Sequence, residues 1–124
     1  MAKDGRPGLW VGHVALGSHD VAATADFMIK LGMRPIETGD VAILELRGGT
    51  HLVVLPAGSP ALPGSKASFD LMVDDIDIAH AQCTALGLAP SQIEDVPFHR
   101  AFTVVEPGGH EVTINSSHVS DQPV

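Results

Sequence analysis

No tyrosine occurs among the 124 residues, and tryptophan occurs once. Proteins that bind single-stranded nucleic acid stack bases on aromatic rings, and this chain has few rings to offer. Cations are also scarce. Seven Lys and Arg stand against fifteen Asp and Glu, a formal charge of −8. That balance repels nucleic acid and anionic membranes, and no basic cluster offsets it. It favours cationic ligands, and it serves solubility equally well. The one cysteine, Cys83, cannot form an internal disulfide, which fits a reducing, cytoplasmic setting. No apolar run reaches the about 18 residues of a membrane span. The opening "MAKDGRPG" lacks the apolar core of a secretory signal and reads as a loose tail. Serine-histidine-aspartate order, glycine-rich phosphate loops and paired cysteines are missing too.

What the chain does contain is a repeat. "HVALGSHDVAATADFMIKLGMRP" from His13 aligns without a gap on "SFDLMVDDIDIAHAQCTALGLAP" from Ser68, at a constant offset of 55 residues. Asp20 falls on Asp75, Leu31 on Leu86, Gly32 on Gly87 and Pro35 on Pro90. Each copy reads as a strand, an Asp-capped helix and a Leu-Gly stop. An aspartate at the N-cap accepts orphan backbone N–H bonds, and a glycine past the last turn adopts the left-handed cap. "RGGTHLVVL" and "EPGGHEVTIN" continue the repeat when Gly48-Gly49 is set on Gly108-Gly109, an offset of 60.

Each half has room for two more strands. "VAILELRG" (Val41 to Gly48) and "HRAFTVVE" (His99 to Glu106) are clear, and "RPIET" and "PSQIE" are weaker. Each half is then β-α-β-β-β and too small to bury its sheet alone. The expected fold is α+β, two such modules forming an eight-stranded curved sheet pair with a central cavity. The expected boundaries are a tail over 1–8, one domain over 9–118 and a tail over 119–124. Within the domain, module one covers 9–56, a Pro/Gly-rich linker 57–66 and module two 67–118.

The stretch "EPGGHEVTINSSH" places a histidine beside a glutamate. Successive strand side chains point to opposite faces, so His110 and Glu111 do not serve one site. Glu111, Thr113 and Asn115 share one face; His110, Val112 and Ile114 share the other. Asp70 interrupts the apolar "FDLMV" and needs partners or water. It reads as a general base, as a holder of a cationic group, or as a carboxylate tied to backbone, Arg100 or His99. His99 starts a strand and either faces the cavity or caps the sheet end. His80 and Cys83 share a helix face, with no second pair to complete a zinc site.

"GHVAL", "KLGM", "VDDID" and "VEPGGHEVTI", set in a β-α-β-β-β duplication, resemble the vicinal oxygen chelate superfamily: glyoxalase I, extradiol dioxygenases and the bleomycin resistance proteins. The resemblance covers roughly Leu9 to Ser117. It implies a divalent metal held by four residues, one on the first and one on the last strand of each half, acting as a Lewis acid. Those positions here read His13, Val53, Ser68 and Thr113, with Leu52 for Val53 if the register slips by one. Three of the four offer no usual ligand. Asp70 and Glu111 are displaced in opposite directions, about 13 Å of added separation at 3.3 Å per residue, too far for one ion. A His13, His51, Glu111 set is the weaker alternative. The expectation is therefore a metal-free binder of a small organic molecule, with His13, Asp70, His99, Thr113 and Asn115 lining its pocket. No cofactor is expected, although a divalent metal stays possible. The alternative is a lyase, isomerase or dioxygenase with a non-standard metal or acid-base site, its catalytic candidates being His13, Asp70 and His99. A divergent member with a protein partner is the third reading. The resemblance also implies a homodimer.

Overall fold

The computed structural model describes residues 3–124; the first two residues of the expected tail lie outside them. Module one runs β1 (His13–Ser18), α1 (Val21–Leu31), β2 (Arg34–Glu37), β3 (Ala42–Glu45) and β4 (His51–Pro56). Module two runs β5 (Leu71–Val73), α2 (Ile76–Ala85), β6 (Glu94–Val96), β7 (His99–Val105) and β8 (Glu111–Ser116). The sheets have the same order, β1-β4-β3-β2 and β5-β8-β7-β6. In each, the first and last strands run parallel and the others antiparallel. A helical crossover between strands one and two requires that arrangement. The sheets do not close on one another. Among the described residues no helix is long and apolar enough to cross a membrane.

The repeat extends to individual hydrogen bonds. Asp20 Oδ1 accepts from the Ala23 amide and Asp75 Oδ1 from the Ile78 amide, both at 3.0 Å. At the other end the Gly32 amide donates to the Ile29 carbonyl and that of Met33 to Met28. Gly87 donates to Thr84 and Leu88 to Cys83, the same pattern 55 residues on. Gly32 and Gly87 have φ of 120° and 73°, open to glycine and costly for other residues.

Each helix covers one face of its own sheet. Leu16, Leu44, Leu52 and Val54 are buried under α1 with Phe27 and Met28; Phe102, Val104, Val112 and Ile114 are buried under α2 with Ile76 and Cys83. Alternation then places His13, Ala15, Ile43, Glu45, His51 and Val53 on the helix-free face of module one. On module two that face carries Met72, His99, Ala101, Thr103, Glu111, Thr113 and Asn115.

Three details depart from the sequence reading. The segment Arg47–Gly49 is a 3₁₀ turn rather than the end of a strand, with Gly48 at φ 83°. The sixth strand begins at Glu94, where "PSQIE" ends. Ser91 explains this: its hydroxyl, not its carbonyl, accepts the Thr103 amide at 2.8 Å, so a side chain replaces a ladder rung. The third departure is in the first strand of module two. His13 pairs with His51 in module one, whereas Lys66 pairs with Glu111 in module two. Further along, Leu16 pairs with Val54 and Leu71 with Ile114, as the offsets require. Two extra residues are thus accommodated between Lys66 and Leu71, where Ser68 and Phe69 form a bend. Lys66, not Ser68, is the pairing counterpart of His13.

One tie between the modules is at Glu106, which is 1% exposed. Thr24 of α1 donates to Glu106 Oε2 at 2.7 Å, and the Gly108 amide does so at 2.6 Å. The His110 amide and Nδ1 approach Oε1 at 3.0 and 2.8 Å. An ionised carboxylate only accepts, so the single Thr24 proton goes to Glu106 and the Ser18 hydroxyl, 2.8 Å away, donates to Thr24. Burial alone raises the Glu106 pKa. The bonds from Thr24, Gly108 and His110 together outweigh it and hold the carboxyl below its ordinary value.

Candidate ligand-binding site

A cleft of about 750 Å³ separates the two modules, in the size range of pockets for small organic molecules. Val14, Leu31, Met33 and Leu46 line it from module one; Phe69, Leu71, Val73 and Ile78 line it from module two. Its formation follows from strand order. Strands β1 and β5 are both edge strands and do not pair with one another, and a bend at Ser68 and Phe69 precedes β5. One side-chain bridge crosses there, from the Ser68 hydroxyl to the Ala15 carbonyl at 3.4 Å. At the rim Arg47 forms a two-pronged bond to Asp74, at 3.1 and 2.6 Å. Hydrogen bonding and charge from that partner raise the Arg47 pKa and lower that of Asp74.

Asp70 lines this cleft and also a smaller, polar cavity of about 350 Å³ formed with Lys66, Ser68, Glu111 and Thr113. Its partner is neither Arg100 nor His99. Asn115 Nδ2 donates to Asp70 Oδ2 at 3.0 Å, while Arg100 turns to Asp77 on the helix side. Because the carboxylate only accepts, the Asn115 amide must present nitrogen to it. That leaves Asn115 Oδ1, in a side chain 4% exposed, without a partner among the described residues. His99 Nδ1 is likewise buried without one. Its ring lies 5.2 Å from that of His118.

The structure therefore brings Asp70, Asn115 and Thr113 together on the helix-free face of module two, with His99 on the same face at its end. His13 lies on module one beside His51, ring centres 5.8 Å apart. Glu111 does not join that pair; it sits across from Lys66. Among the described residues no three His, Cys, Asp or Glu side chains are grouped to hold a metal ion. Asp70 and Glu111, read from sequence as diverging, line one small cavity, because the register that pairs Leu71 with Ile114 sets Asp70 beside Thr113, two residues from Glu111. His80 Nε2 meets the Ser91 carbonyl at 2.8 Å, and Cys83 is buried in the core, where desolvation raises its pKa.

Residues 10–114 match the family model described as Glyoxalase/Bleomycin resistance protein/Dioxygenase superfamily. The chain belongs to this superfamily. No curated protein matches the sequence. Among solved structures, a lactoylglutathione lyase from Agrobacterium tumefaciens is similar at 17% identity, covering 91% of this chain and 97% of that one, with a TM-score of 0.73. A bleomycin resistance determinant encoded on the transposon Tn5 is similar at 21% identity, 90% and 100% coverage and a TM-score of 0.71. The oxidase ChaP-H2 is similar at 20% identity, 90% and 95% coverage and a TM-score of 0.66. At these identities the likeness shows the fold, and the three names span a lyase, a resistance protein and an oxidase.

Glyoxalase-superfamily members commonly use a divalent metal, and the positions that would hold it do not suit one here. His13 is a good ligand. Val53 and Thr113 are not, and the pairing counterpart of His13 is the ammonium of Lys66. Sequence reasoning missed Glu45, whose Oε2 lies 2.9 Å from His51 Nε2 and whose Oε1 bonds Arg34. The signal was available, because alternation in "AILE" places Glu45 opposite His51 once the two strands are paired. The side-chain hydrogen bonds from Arg34 first, and then from His51, lower the Glu45 pKa.

Proposed function

We propose that this superfamily member is a small-molecule binding protein that takes an organic ligand into the cleft between its modules. The observation that carries the reading is Asp70, a carboxylate set in the wall of an otherwise mainly apolar cleft and held by Asn115. The matching ligand has an apolar body and a cationic or N–H-bearing group. The body displaces water from Phe69, Leu71 and Ile78, and the donor meets Asp70. Asn115, buried outside the cleft lining, fixes the carboxylate. The reading needs no metal, in line with the poor donor set at the four strand positions. The uncovered sheet faces, with Met72, Leu55 and Val105 exposed, support a homodimer in which a second copy covers them. The lone buried thiol and acidic balance support a cytoplasmic location.

A thermal-shift screen of amine-bearing aromatic compounds tests the reading. Binders that raise the melting temperature of the parent protein are expected to lose most of the shift in Asp70→Ala. Neutral analogues of the same shape are expected to bind at least tenfold more weakly. A set of binders indifferent to both changes would refute the assignment.

A further inference from the structure

We propose that the small polar cavity on module two holds the head group of an α-amino acid with an apolar side chain, its ammonium on Asp70 and Glu111 and its carboxylate on Lys66. The assignment rests on the cleft reading above and narrows its ligand class. Phe69 and Asp70 line both the cleft and the polar cavity. A ligand whose apolar body lies against Phe69 therefore brings its polar end to the cavity. The cavity measures about 350 Å³ and, apart from Ala67 and Phe69, its lining side chains are charged or carry a hydroxyl.

Ladder register sets the charges in order. The Ala67 amide donates to the Glu111 carbonyl at 2.9 Å and the Glu111 amide to the Ser65 carbonyl at 2.8 Å, which holds Lys66 beside Glu111. The pairing of Leu71 with Ile114 sets Asp70 beside Thr113. Glu111 and Thr113 are two steps apart on one face of β8, roughly 7 Å. Lys66 and Asp70 thus border the cavity at about that spacing. Lys66 and Glu111 are neighbours of opposite charge, yet neither forms an ion pair among the described residues. Asn115 occupies only Oδ2 of Asp70. A bare amine placed here is repelled by Lys66, and a bare carboxylate by Asp70 and Glu111. A group that carries both charges on neighbouring atoms suits both ends. Its ammonium donates to Asp70, Glu111 and the Thr113 hydroxyl, and its carboxylate accepts from Lys66.

Amide chemical-shift titration of the full chain at neutral pH tests this with free phenylalanine, phenethylamine, which lacks the carboxylate, and phenylpropanoate, which lacks the ammonium. Phenylalanine is expected to bind at least tenfold more tightly than either of the others. Lys66→Ala should remove its advantage over phenethylamine, whereas Lys30→Ala, on α1, should keep it. Asp70→Ala should abolish binding of phenylalanine. Equal binding of phenylalanine and phenethylamine to the parent protein, or a preference that survives Lys66→Ala, would overturn the zwitterion site and leave the cleft reading in place. Binding of both that is undiminished in Asp70→Ala would overturn the two together. Failure of all three probes to bind would also overturn the zwitterion site, and the cleft reading would then be decided by the wider amine screen.

Discussion

At the scale of single residues, Glu106 illustrates how a buried charge is made tolerable. Four donors from Thr24, Gly108 and His110 converge on it, and one of them comes from the other module. Replacement by Gln places an amide N–H among those donors, and a cost of roughly 2–4 kcal/mol is expected, measured by urea unfolding. The same contacts fix a pH dependence. The folded pKa lies below the ordinary value of 4.5, so the unfolded chain binds more protons there. The contribution is complete above about pH 4.5 and is lost as pH falls through the folded value. Glu106→Gln should therefore flatten stability against pH below about 4.5. Gly108 has a related role: a Cβ there would lie 2.6 Å from Glu106 Oε1. Gly108→Ala should destabilise, and its effect should be less than additive with Glu106→Gln, because both break the same contact. None of this convergence was legible in the sequence. "EPGG" marks a turn, but not the threonine 82 positions away that donates to it.

At the scale of elements the sequence was far more informative. Caps and stops have local causes, so Asp20, Asp75, Gly32 and Gly87 could be assigned from neighbours alone. Asp20→Ala and Asp75→Ala should each cost about 1 kcal/mol, read as a fall in urea midpoint at unchanged slope. Helix and strand order followed from the same signals. The bend before β5 was hidden for a physical reason. An ungapped alignment is blind to two residues that leave the ladder and return, because the flanking pattern of apolar residues is undisturbed. The bend lies next to Asp70 and Phe69, which line the cleft. The Asp70–Asn115 bond was half legible: both residues fall on the right face, yet their pairing depends on the register of β5 against β8.

At the scale of the molecule, duplication gives two sheets, each covered on one side and bare on the other. The bare faces hold the histidine pair on module one and the Asp70, Thr113 and Asn115 group on module two, while the cleft lies between the edges. Sedimentation velocity should show a dimer, and Val105→Glu, on an exposed site of the uncovered face, should shift the population toward monomer by at least tenfold in dissociation constant. A ligand seated between modules should stiffen them as a unit, raising the melting temperature with the logarithm of its concentration above the dissociation constant.

The most direct measurement is amide chemical-shift mapping of the protein with a confirmed amine-bearing binder. The account predicts that the perturbed amides cluster on both walls of the cleft, at Val14, Leu46, Asp70, Leu71 and Ile78, and that Asp70→Ala removes the pattern. Perturbations confined to one module, or centred away from Asp70, would contradict it.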